Sequence, residues 1–423
     1  MNWLVIVIFV LGYAAIVFEN TIRLNKAASA LMTGVLCWTV YILGETDKEI
    51  GVHHLEGHLG EVSGILFFLL GAMVIVELVD AHDGFEFITE RIKTRSKRYL
   101  LWVICGITFF LSAILDNLTT TIVMITLLRR LIAQREDRLL FVGMVVIAAN
   151  AGGAWSPVGD VTTTMLWIGG QITPAGIIVG LFVPSLVCLV VPLLVLTFQL
   201  KGAVEGSAAH QDALTSTPFE RNTTFAVGIG ALLFVPVFKS ITHLPPYMGI
   251  LLGLGVMWMI TEMINADKDE IEKGPRSVNH ALRKIDTPSI LFFLGILLAI
   301  SALQTNGSLG AVAAWLDQHV GNLTAIGILI GLLSAIVDNV PLVAAAQGMY
   351  EGMYPTDHFF WELLAYCAGT GGSILIIGSA AGVAAMGMEQ IDFFWYLKRI
   401  SLWALIGYLA GVGAYVAQQV LMY

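Results

Sequence analysis

The chain alternates between long apolar runs and short polar interruptions, the runs falling at about 2–18, 27–43, 62–79, 100–128, 139–167, 176–200, 223–239, 246–265, 288–303, 322–349, 360–388 and 396–422. Runs of this length, such as Trp3–Phe18 and Ala28–Leu43, predict helices in a bilayer, where every backbone polar group must be satisfied within the chain. Composition agrees: 57% of the 423 residues are hydrophobic and 13% charged, against about 25% charged in a soluble domain. A soluble globular fold is excluded; the expected class is an all-α polytopic membrane protein. Cys37, Cys105, Cys188 and Cys367 each stand singly in an apolar run, which argues against a disulfide framework or a zinc site. The first run begins at residue 3 without a basic stretch before it and reads as a retained helix, not a removed signal.

Two runs do not fit a single crossing. The stretch 100–128 has Arg91, Lys93, Arg95, Lys97 and Arg98 before it and Arg129, Arg130, Arg135 and Arg138 after it, so the positive-inside rule puts both ends in the cytoplasm. A re-entrant hairpin resolves this, with residues 100–115 descending about 24 Å and 118–128 returning about 16 Å. Its tip is Asp116-Asn117. The stretch 322–349 has the same shape, with tip Asp338-Asn339, but no Lys or Arg lies between residues 285 and 397, so it enters from outside. Ten crossings and two hairpins place 20 of the 22 basic residues inside, including Arg23, Lys26, Lys201, Arg221, Lys398 and Arg399, and leave Lys48 and Lys239 outside. Both termini are then outside.

Ser112-Ala113-Ile114-Leu115-Asp116-Asn117 recurs as Ser334-Ala335-Ile336-Val337-Asp338-Asn339, an offset of 222. Asn150–Asp160 answers to Gly369–Ser379, and Phe68–Gly71 to Phe292–Gly295. The landmarks define two repeats, 1–200 and 222–423, joined by a cytoplasmic linker at 201–221 with Gly202, Gly206, Ser207 and His210. Five crossings per repeat, an odd number, invert the second copy, and inverted repeats with interrupted helices near the midplane are a transporter architecture. The expected breaks fall near Gly152–Gly159, where Pro157 removes a ladder hydrogen bond, and in the glycine-rich 360–388 span.

Asp116, Asp160 and Asp338 are carboxylates at membrane depth, where each costs about 2.5–3.5 kcal/mol and marks ion or proton pathways. Around them stand Ser112, Asn117, Thr119, Thr120, Asn150, Thr162 and Thr163 in the first repeat and Ser334, Asn339, Ser373 and Ser379 in the second. Oxygen ligands without thiolates or histidines suit a hard cation. Capping of short helices is the other reading of the aspartates, and the two roles are compatible. Glu77, near the end of a span, is open between an interfacial side chain and a second proton site. His53, His54 and His58, among Glu45, Asp47, Glu49, Glu56 and Glu61, are expected on a solvated outer loop, with a pH sensor or metal site as the alternative; His82 beside Asp83 has a similar status. Trp155 and Trp167 are expected as packing and interfacial anchors.

With SAILDNLTTT at 112–121, NAGGAWSPVGDVTTT at 150–164 and SAIVDNVP at 334–341, the chain resembles the NhaD-type sodium/proton antiporters, within a superfamily that includes arsenite and dicarboxylate carriers. The resemblance implies that Asp116, Asn117, Asp160, Thr162, Thr163, Ser334, Asn339 and Ser373 belong to the pathway of Na⁺, Li⁺ and H⁺, and with Ser112, Asn150 and Asp338 from the reading above they make the expected transport site, with no cofactor and no enzymatic activity. It also implies a multi-pass protein of the bacterial cytoplasmic membrane, a homodimer in the lipid bilayer with no nucleic-acid partner. Dicarboxylate carriers of the superfamily place neutral Ser-Asn-Thr at the hairpin tips; Asp at both tips here would repel a dianion. Ser379 stands where Asp160 would recur, so the site is expected to be asymmetric. No Walker A pattern is present, which leaves the proton gradient as the driver. A carrier of arsenite or a carboxylate is the alternative, and an intramembrane aspartyl protease a more distant one that lacks the Gly-x-Gly-Asp pattern.

Overall fold

In the computed structural model the described residues are 2–86, 92, 94, 96–200, 202–204, 216–266, 268–269 and 273–422. Arg91, Lys93, Arg95, Lys201, Gly206, Ser207 and His210 lie outside them. The first half forms α1 (Asn2–Val17), α2 (Lys26–Gly44), α3 (Lys48–Ala81), α4 (Lys97–Leu115), α5 (Asn117–Leu131), α6 (Arg135–Ala154), α7 (Val161–Ile168) and α8 (Pro174–Gln199). The second forms α9 (Pro218–Thr242), α10 (Pro246–Ile264), α11 (Val278–Lys284), α12 (Thr287–Thr305), α13 (Ser308–His319), α14 (Leu323–Ser334), α15 (Asn339–Met349), α16 (Phe359–Gly371), α17 (Ala380–Glu389) and α18 (Leu402–Met422). Among the described residues nine helices are long and apolar enough to cross a membrane. The chain is an all-α, multi-span membrane protein.

Both suspected hairpins turn back on themselves. Lys97 Nζ, at the start of α4, lies 2.6 Å from Asp137 Oδ2, just beyond the end of α5, so the outer ends of the two arms share one face. Tyr350, after α15, donates its hydroxyl to Asp317 Oδ1, ahead of α14, at 3.4 Å. The first face also carries Arg98 on the Leu200 carbonyl at 2.7 Å, Lys268 with Glu220 at 3.0 Å and Lys284 with Glu77 at 2.9 Å. It is the basic face. Glu77 is therefore an ion-paired side chain at the end of its helix. Lys239 sits apart, its ammonium over the Trp167 ring and donating to the Trp167 carbonyl at 3.1 Å.

The helix breaks fall at 155–160 and 372–379, later than expected for the first and within a narrower window for the second. Gly152 and Gly153 remain helical, and the first is there for close approach: a Cβ on Gly152 would stand 2.2 Å from the Phe109 carbonyl oxygen. In the second half a Cβ on Gly371 would stand 2.1 Å from the Gly331 carbonyl oxygen. Each broken helix thus presses backbone to backbone on the descending arm of its own hairpin. Ser112 Oγ donates to the Ala149 carbonyl at 2.6 Å, and Ser334 Oγ to that of Ala368 at 2.7 Å. These matched contacts recur at the offsets of the sequence repeat.

Three local expectations change. Residues 48–61 are not a loop: Asp47 caps the Glu49 N–H and α3 runs unbroken for 34 residues, so His53, His54 and His58 are helical. His58 packs near Trp38 and hydrogen-bonds Thr305 at 3.1 Å. The amphipathic α13 between α12 and the second hairpin had no counterpart in the pattern of runs. A π-helical turn, Leu397–Ser401, precedes α18, and Tyr396 beside it donates to the Ser373 carbonyl in the second break at 2.8 Å. Trp155 stacks with Phe109 and meets Phe182 edge-on, and Trp167 is fully buried, so both pack as expected.

Candidate functional site

Four short helices, α5, α7, α15 and α17, begin at the two tips and the two breaks, and each has a polar cap from the sequence. Asp116 Oδ1 accepts from Thr119 N at 2.8 Å, Asp160 Oδ1 from Thr162 N at 2.9 Å, Asp338 Oδ1 from Val340 N at 3.2 Å, and Ser379 Oγ from Gly382 N at 3.2 Å. Capping is therefore real for all three aspartates. A helix N-terminus is worth about +0.5 of a charge, so four such ends alone would favour an anion. Three carboxylate caps reverse that sign when ionised.

The amides that follow the two tip aspartates converge on Asp160, which is 2% exposed. Asn117 Nδ2 donates to Asp160 Oδ2 at 2.6 Å, and Thr162 Oγ1 donates to Oδ1 at 2.8 Å. Asn339, the residue matching Asn117 in the other tip, donates to both oxygens at 3.4 and 3.5 Å. Asn150 accepts from Asn117 at 3.0 Å and donates to Ser373 Oγ at 2.8 Å and Ser379 Oγ at 2.9 Å. One buried network thus joins both tips and both breaks.

The remaining candidates sit around this network in other roles. Ser112 and Ser334 give their protons to backbone carbonyls of the broken helices, and Thr163 Oγ1 donates to the Asp160 carbonyl at 2.9 Å. Asp116 turns toward its own helix, where Thr119 Oγ1 adds a second bond at 2.7 Å. Its φ of 123° is a region that favours glycine and costs about 1–3 kcal/mol for other residues. Asp338 faces elsewhere, 4.0 Å from Lys26 Nζ. In the sequence Lys26 is only a marker of topology, and its helix-starting position gives no sign that it reaches a hairpin tip. Among the described residues no three His, Cys, Asp or Glu side chains group as a resident metal centre.

Two cavities are bounded by the short helices that carry the network. One of about 790 Å³ opens toward the basic face and is lined by Lys26, Glu77, Thr119, Lys284, Ala380 and Met388 among others. The other, about 340 Å³, is lined by His58, Glu61, Met165, Gln171, Gln347 and Glu351 among others. The first is bounded by α5 and α17, the second by α7 and α15. Each pair takes one helix from a hairpin of one half and one from the broken span of the other.

The far ends of these pairs are tied across the halves as well. Glu389, ending α17, accepts from Arg129 Nε at 2.6 Å and Arg138 Nε at 2.9 Å, while Arg135 reaches the Glu389 and Gln390 carbonyls at 3.1 Å. Beyond α7, Asp357 accepts from Thr173 N and Oγ1 at 2.6 and 2.7 Å, and Thr356 donates to the Gly170 carbonyl at 2.7 Å.

Comparison with known proteins fits this layout. A family profile described as citrate transporter (CitMHS) matches residues 7–371. Sodium/proton antiporter 1 of Arabidopsis thaliana is 53% identical over 97% of this chain and 71% of its own length, and sodium/proton antiporter 2 of the same plant is 50% identical over 97% and 98%. The Na⁺/H⁺ antiporter NhaD of Alkalimonas amylolytica is 30% identical over 98% of this chain and 90% of its own. These relatives are transporters, not enzymes. With two buried tips, two broken helices and full-length likeness of this kind, the chain belongs to the NhaD-type sodium/proton antiporter family.

Proposed function

We propose that this protein exchanges Na⁺, and Li⁺, for H⁺ at the network around Asp160, taking its energy from the proton gradient. The observation that carries the reading is the buried carboxylate of Asp160, held by Asn117 and Asn339 from the two hairpin tips, with the acidic caps Asp116 and Asp338 at the starts of the tip helices. A carboxylate substrate would meet three negative caps, whereas a small hard cation finds carboxylate, amide and hydroxyl oxygens. Na⁺ and H⁺ then compete for the same carboxylates, so that one leaves as the other binds. The antiporter names of the relatives support this exchange over arsenite or carboxylate transport.

Alternating exposure follows from the two cavities. The larger cavity lies toward the basic face, and rearrangement of α5 and α17 against α7 and α15 would exchange access between the two sides. The matched contacts of the halves support an inverted pair of repeats, 1–200 and 222–423, around the 201–221 linker. The basic face is then cytoplasmic and both termini are outside. Likeness extends to plant and to Alkalimonas antiporters, so a bacterial cytoplasmic membrane and a homodimer rest on the family resemblance alone.

Purified protein in vesicles carrying a pH gradient provides the test. Addition of Na⁺ or Li⁺ should collapse the gradient, while citrate should not. Collapse with citrate and none with either cation would refute the proposal.

A further inference from the structure

The two hairpin tips have the same Asp-Asn pair but different third residues after the aspartate. At the first tip Thr119 satisfies Asp116 twice, through its N–H and its hydroxyl. The corresponding residue at the second tip is Pro341, which has neither donor. Asp338 Oδ1 keeps one bond, from Val340 N at 3.2 Å, and Oδ2 faces Lys26 Nζ at 4.0 Å. A lysine from another helix therefore stands where the first tip has its own threonine.

Lys26 is placed for more than tip packing. It begins α2, its side chain is 30% exposed, and it lines the 790 Å³ cavity on the basic face. Its ammonium lies 4.8 Å from the centre of the Phe292 ring on α12. The apolar core formed by α1, α2, α12 and part of α3 is separate from the main core and meets the second tip at Val340 and Ala344. The Lys26–Asp338 contact thus lies at the edge of this smaller core, beside Ala27, Phe292 and Val340, with Lys26 on the cavity wall.

We infer that Lys26 is a tethered cation: in the conformation open to the basic face its ammonium neutralises Asp338 and competes with the transported cation for the site. It is a positioning residue that sets how tightly Na⁺ binds from this side and helps Na⁺ leave. A lysine suits this because its compact charge on a flexible stem can approach or withdraw without a fixed geometry. A long contact of 4.0 Å to a partly exposed carboxylate is the arrangement an incoming ion can displace. This inference rests on the exchange reading above.

The test compares the wild-type protein with Lys26→Gln, Lys26→Arg and Asp338→Asn in vesicles, reading the Na⁺ KM on the cavity side separately from the maximal rate. Lys26→Gln should lower that KM about fivefold, the effect of one unit charge about 4 Å away in water, and Lys26→Arg should restore the wild-type value. In the Asp338→Asn background Lys26→Gln should have no further effect. Where a variant carries no flux, thermal stabilisation of the purified protein by Na⁺ makes the same comparison. An unchanged or raised KM in Lys26→Gln, or effects of Lys26 and Asp338 that simply add, would overturn the role of Lys26 alone. Absence of Na⁺-dependent proton movement in the wild-type protein would overturn the exchange reading instead.

Discussion

Asp160→Asn should abolish Na⁺-dependent proton movement while the protein still folds and inserts. Asparagine is among the best N-cap residues, so α7 keeps its start and the loss isolates the charge. Asp160 is the point where Asn117, Asn339 and Thr162 converge. Without that charge neither Na⁺ nor H⁺ is held where the two tips meet, so exchange should fall to the background of empty vesicles. ²²Na⁺ uptake and gradient collapse, measured beside a melting curve in detergent, would check it. Full exchange by Asp160→Asn would remove Asp160 from the transport site.

Glu389→Gln should instead be a stability variant. Glu389 is 4% exposed and joins α17 to the end of α5 through Arg129 and to the start of α6 through Arg138. Glutamine keeps the shape but removes the negative charge among three arginines, two of which also hold backbone carbonyls at the end of α17. Charge-assisted hydrogen bonds contribute about 1.5–3 kcal/mol each, so a loss of about 3 kcal/mol and a clearly lower melting temperature are expected. Because α17 lines the open cavity, exchange should fall in parallel with stability. A melting temperature equal to wild type would show that this clasp contributes nothing net.

Much of the architecture was legible because membrane helices are constrained twice, by hydropathy and by charge. Basic residues on both sides of 100–128 led to the expectation of a hairpin, and the Lys97–Asp137 pair brings the two ends of that stretch together. The recurring Ser-Ala-Ile-x-Asp-Asn segment located both tips, and Asn117 and Asn339 indeed meet at one carboxylate. The helix breaks were less legible: Gly152 looked like a helix breaker but is used for close packing, since a bilayer strongly favours continued helix. Polar residues at 48–61 looked like a loop because a helix projecting from the membrane needs no apolar pattern. Lys26 escaped because its partner is 312 residues away in the chain, and only the fold brings them together.

The central claim is that Na⁺ and H⁺ occupy one carboxylate site in turn. Its most direct test is the Na⁺ KM of the reconstituted protein measured across a range of pH on one side of the membrane. Competition predicts that KM rises as the proton concentration rises while the maximal rate at saturating Na⁺ stays constant. A constant KM with a maximal rate that changes with pH would place proton binding at a separate site and contradict the account.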